Sequence, residues 1–251
     1  MGELQPPAQS PACRQKGAQI ASALPSAGGE GQDMQDIPGQ DWVAHAGELF
    51  EAAMFVGDTA ALDRSDDVLD AVEAPLSMAR GKVLHVRFLN DREENTQELV
   101  LFERAAELYR RLGDASGEAD ALFWIGCWHQ VVKGDGATGR PYFEQSYALA
   151  KSVDDRMTMS YAIRHLGFAD RDAGDLDQAR ERLTESVSLR RAIGFRPGEA
   201  AGLVALAYLA AETGNGAVAL HHLDEAQAVA ESCGAKAVTG WIEQARMMVQ
   251  A

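Results

Sequence analysis

The chain has 251 residues, 46% apolar and 24% charged, the balance of a protein with a hydrophobic core. Asp and Glu total 38 against 23 Lys and Arg, a formal charge of −15; this argues against a duplex nucleic-acid binder and an anionic membrane surface, where cationic side chains supply the affinity. The longest nearly apolar stretch, Ala200 to Ala211, falls well short of the roughly 20 residues that span a bilayer, so membrane insertion is not expected.

Residues 1–40 hold five of the eight prolines, with Gly28, Gly29 and Gly31 among Ser, Gln and Ala. Such a segment buries too little apolar surface to offset the entropy of ordering, so a disordered or loosely attached tail is expected. Its run Ile20 to Leu24 is too short for the core of a secretory signal. Cys13, Cys127 and Cys233 show no paired spacing, which gives neither a disulfide framework nor a zinc site. A reduced, cytoplasmic chain without metal or cofactor is the simplest reading.

From Asp41 onward apolar residues recur at three- and four-residue spacing, the period of helices, and no segment alternates like a strand. The same stretch repeats itself. Gly134-Asp135, Gly174-Asp175 and Gly214-Asn215 sit forty residues apart, and Phe102, Phe143, Leu183 and Leu223 recur at matching places. Each Gly suits the left-handed end of a helix, and the Asp or Asn after it suits the cap of the next. Asp175 to Gln178 has capping-box spacing, and Pro141 and Pro197 lie near helix starts, where a missing N–H costs little.

In chain order, helix pairs are expected at 42–73, 76–112, 117–153, 157–194 and 198–233, with a single helix at 236–250. The first two pairs have the weakest turn signals. The last helix is amphipathic through Trp241, Ala245 and Met248 and would cap an open end. One pair alone cannot cover its apolar stripe, so the pairs must stack. The expected architecture is an all-α, helix-turn-helix repeat solenoid over 41–251, with about five pairs and a C-terminal capping helix.

Leu166-Gly167, Gly174-Asp175, Ala179 and Leu183, repeated as Leu206-Ala207, Gly214-Asn215, Ala219 and Leu223, resemble the tetratricopeptide repeat (TPR) family. The longer period and the junctions Leu112-Gly113-Asp114 and Ile193-Gly194 are similar to its forty-residue variety in bacterial regulators. The resemblance implies a right-handed superhelix whose first helices line a concave groove that binds partners. Neither a phosphate-binding loop nor room for a DNA-binding domain accompanies the repeat.

Counting back from the turns sets Trp128, Phe168 and Tyr208 at one position of three inner helices. One turn earlier stand Trp124 and Ile125, then Arg164 and His165, then Val204 and Ala205. Two readings of these aromatics compete. In one they only pack neighbouring helices; in the other they line a pocket, where Trp124, Trp128, Phe168 and Tyr208 hold a ligand and Arg164 and Arg171 grip a carboxylate. For these arginines a surface ion pair with Asp172 or Glu212 is the more ordinary alternative.

Two functions follow. The first is a cytoplasmic binding protein that holds a peptide, protein segment or small effector in the groove. The second is an enzyme or carrier in which Tyr161, His165 and Asp172 do acid–base work on an aromatic or carbonyl-containing metabolite. A homodimer that buries the groove is a third. His221-His222 are poorly placed to share a metal, Cys127 fills a small-residue packing place, and His129 faces a neighbouring helix.

Overall fold

The computed structural model describes residues 42–250; the expected tail, residues 1–40, lies outside them. Among the described residues there are ten α-helices and no strand: α1 (Trp42–Glu51), α2 (Ala60–Asp91), α3 (Gln97–Leu112), α4 (Ala115–Cys127), α5 (Gly136–Ser152), α6 (Arg156–Asp172), α7 (Leu176–Ala192), α8 (Arg196–Glu212), α9 (Gly216–Cys233) and α10 (Lys236–Gln250). Each packs on the next. α4 also touches α2 and α6, and α10 touches α8. No helix is long and apolar enough to cross a membrane.

The turns follow from their residues. Asp114, Asp135, Asp155 and Asp175 each accept a bond from the amide three residues on, at 2.9, 3.0, 3.1 and 3.2 Å. These caps satisfy donors that a helix start leaves free. Gly174, with φ 83°, ends α6 in the left-handed region that L residues avoid. Asn215 departs from the expected capping: its amide donates to Thr213 instead. The capping box is half made, since the Gln178 side chain donates to Glu181 rather than back to Asp175.

Large residues of one helix seat against small residues of another. Phe102 lies over Gly81, Phe143 over Gly126 and Leu183 over Gly167, so close that a Cβ at the first two would meet the ring at 2.4 and 2.6 Å. Such interlocking fixes helix spacing, because interiors pack at crystal density.

The N-terminal third differs from expectation. No turn separates residues 73 and 76. Helix α2 runs through Pro75 for 32 residues, although proline removes a ladder bond at a cost of about 3 kcal/mol. Burial on both sides of the proline compensates: Ser65 bonds to the Ala46 carbonyl of α1, while Ala74, Met78 and Gly81 pack the second half on α3. Inside the core, His85 Nδ1 meets Glu98 Oε1 at 2.8 Å and ties α2 to α3. Four helix pairs therefore stand between a lone α1 and the closing α10.

The repeat register also shifts at the end of α4. After Cys127 the chain runs on from α4 without a break into a π turn, Trp128–Val132, with the Lys133 amide bonded to the Trp128 carbonyl. That turn absorbs one inserted residue. The caps Asp135, Asp175 and Asn215 follow at intervals of 40, whereas Asp114 and Asp155 are 41 apart. Residues of α4 before the insertion are thus displaced by one from the places that counting back from the turns assigns.

Candidate functional site

The displacement decides where the aromatics go. Cys127, not Trp128, stands in line with Phe168 and Tyr208, and Gly126 takes the small place matched by Gly167. Trp128 opens the π turn instead, edge-on to His129 and under the Lys133 ammonium at 5.3 Å, with its Nε1 buried and without a partner among the described residues. His129 stacks on Tyr142 of α5, as expected of a packing residue. Trp124 also leaves the expected ladder. It stacks on Phe102, donates to Asp120 at 2.9 Å and borders a separate cleft between α2, α4 and α6.

Phe168 and Tyr208 do come together. They line a cleft of about 350 Å³ whose walls are α6, α8 and α10. Arg164, Phe168 and Arg171 follow at one-turn steps on α6; Ala201, Val204, Ala205 and Tyr208 do so on α8, and Trp241 and Gln244 close the side from α10. The space exists because α8 is small there: Ala201 and Ala205 match positions that Tyr161 and His165 fill in α6. Trp241, read from sequence as part of a capping helix, is 47% exposed and forms a third aromatic wall.

Charge in the cleft is one-sided. The Arg171 guanidinium pairs with Asp172 at 2.8 Å and approaches Glu212 at 4.0 Å, the ordinary arrangement. Arg164 is different. Its guanidinium carbon lies 4.5 Å over the Phe168 ring, its Nε is buried without a partner, and no carboxylate pairs with it among the described residues. Burial first, and the nearby Arg190 second, push its pKa down to about 9, so it still carries its charge at neutral pH. Arg190 is buried too, satisfied by Ser160 Oγ and the Gly198 carbonyl. A cation this poorly compensated is costly to keep.

Tyr161, His165 and Asp172 share no hydrogen bond among the described residues. Asp172 is exposed and holds Arg171. His165 lies instead within a ring of Phe123, Phe143 and Phe168, at centroid distances of 5.2, 5.1 and 5.6 Å. Its Nδ1 meets Gln130 Oε1 at 2.7 Å, and Gln130 returns a bond to the His165 carbonyl at 3.3 Å. That pairing makes Nδ1 the protonated nitrogen, leaving Nε2 to face Cys127 Sγ at 4.0 Å. Sequence reasoning had no signal for this Cys–His–Gln row, since the π turn brings Gln130 round. Its chemistry runs against a nucleophile. Burial pushes the Cys127 thiol up and, with Arg164 and Arg190, pulls His165 well below its ordinary value, so both are neutral. Tyr161 lies under the Arg190 guanidinium at 4.9 Å, and burial raises its pKa, keeping the phenol protonated.

No group of three or more metal-ligating side chains occurs among the described residues. His221 is exposed, His222 half-buried, and their rings are 6.2 Å apart. No family model matches the chain, and no curated protein shows significant similarity to it.

Proposed function

We propose that the chain is a TPR-like solenoid, wound as a right-handed superhelix, that acts as a binding protein in a reduced, cytoplasmic setting. Its ligand sits in the cleft of α6, α8 and α10: a flat apolar body among Phe168, Tyr208 and Trp241, bearing an anionic group that reaches Arg164. The observation that carries this reading is the Arg164 charge, half-buried at the wall of an aromatic cleft and lacking a counter-ion. Planar guanidinium groups recognise carboxylates with two parallel bonds, and a desolvated site strengthens each. A volume near 350 Å³ suits a small effector or one aromatic side chain of a peptide.

Native mass spectrometry of purified protein tests the reading. A small acid retained by the wild-type chain, and lost from both Arg164→Met and Tyr208→Ala, is the expected outcome. Retention that is indifferent to both substitutions would place binding elsewhere.

A further inference from the structure

Helix α2 carries an apolar row that its neighbours among the described residues leave about half exposed. Leu62, Leu69, Leu76 and Val83 recur every seven residues and are 49, 42, 51 and 52% exposed. Positions three further on are Ser65, Val72, Ala79 and Val86, so the row is the a and d seam of a coiled coil, broken only at Ser65, which bonds to α1. From Leu62 to Val86 it runs about 36 Å. Single exposed apolar residues are common on surfaces, but an aligned row on the longest helix is not. The opposite face of α2, through Ala74, Met78 and Gly81, is the one that packs on α3.

The charges beside the seam name its occupant. Four residues after each leading position stand Asp66, Glu73, Arg80 and Arg87: two acids, then two bases. Asp66, Arg80 and Arg87 are exposed and form no ion pair among the described residues, while Glu73 is held by Arg104. A parallel copy would set Asp66, Glu73, Arg80 and Arg87 beside the partner's Ala61, Val68, Pro75 and Lys82, with no opposite charge to meet. An antiparallel copy, related by a two-fold axis near residue 77, matches them: Asp66 meets the partner's Arg87 and Glu73 meets the partner's Arg80. In that same register Leu69 opposes the partner's Val86, Val72 the partner's Val83 and Leu76 the partner's Ala79. Apolar layers and charges thus agree on one alignment, as an isologous contact requires.

A strip about 36 Å long and about 11 Å wide offers roughly 400 Å² per copy, half of the roughly 800 Å² per partner in a standard interface. The segment that packs beside the N-terminal half of α2 supplies more, with Phe50, Met54 and Phe55 at 50, 62 and 79% exposure. We propose that the α2 seam pairs antiparallel with the seam of a second copy of this chain, leaving the α6–α8–α10 cleft open in each.

Light scattering and native mass spectrometry at high micromolar concentration should find twice the 27.0 kDa chain mass. Leu76→Lys should give the single chain with unchanged helical circular dichroism. Arg87→Glu should weaken the dimer by about tenfold or more, and adding Asp66→Arg in the same chain should restore it. A wild-type monomer overturns the proposal, including one whose first forty-one residues prove to cover the seam. A dimer untouched by Leu76→Lys, or a charge reversal that the second change fails to rescue, overturns it equally.

Discussion

Replacing Arg164 by Met should make the unliganded protein more stable. A guanidinium whose pKa is held near 9 rather than 12.5 has lost roughly 5 kcal/mol of stabilisation in its charged form. Desolvation is the larger cause and repulsion from Arg190 the smaller. Arg164 is half-buried rather than sealed, so solvent screening reduces what a substitution recovers. The apolar stem over Phe168 is kept in methionine, while the cation–ring attraction, about 1 kcal/mol, is lost. The net expectation is a gain of about 1–2 kcal/mol, within the range seen when poorly solvated charges give way to apolar groups. Urea unfolding at pH 7.5, followed by circular dichroism, should show a higher midpoint with an unchanged slope. The same variant should lose affinity for the bound acid, as a site that keeps a destabilising charge for function would. A variant destabilised by more than about 1 kcal/mol would refute the reasoning, since it would mean that the guanidinium already has its compensation within the fold.

Gly194→Ala should cost about 1 kcal/mol in the same unfolding assay, because Gly194 has φ 72° and a Cβ there is strained even though no atom crowds it. Acidification should also destabilise the protein. The folded-state pKa of His165 lies well below 6.5, so the unfolded chain binds the extra proton first and stability is lost as pH falls below about 6.5. The loss should be visible between pH 7.5 and 5.5, and His165→Leu should flatten that part of the profile. The Cys127 thiol, 2% exposed and held protonated, should resist a thiol reagent in the native protein that modifies the exposed Cys233 within minutes; equal rates would show that the Cys127–His165 contact opens to solvent.

Local chemistry made most of the helix ends readable. The Asp caps and left-handed glycines between α3 and α10 act over three or four residues, and their spacing survives in the sequence whatever the tertiary fold does. Helix α2 was not readable because its continuity through Pro75 depends on α1 and α3 gripping opposite ends, which no local rule contains. Trp128 was misplaced for a different reason. A π turn costs one residue, and the 40-residue rhythm of the outer caps conceals it; the 41-residue step from Asp114 to Asp155 was the available signal. The pairing of Arg171 with Asp172 was legible from adjacency, whereas the isolation of Arg164 depends on which acids the neighbouring helices fail to supply. Trp241 was seen as amphipathic, but which helix pair it faces is set by the final packing of α10 on α8.

The cleft is tested most directly by calorimetric titration with 2-naphthoate and its uncharged amide, 2-naphthamide. Saturable binding of the carboxylate, at least about tenfold weaker for the amide and for Arg164→Met, is the result that an unpaired guanidinium beside Phe168, Tyr208 and Trp241 predicts. Equal affinity for acid and amide, or no saturable heat from either, would contradict it.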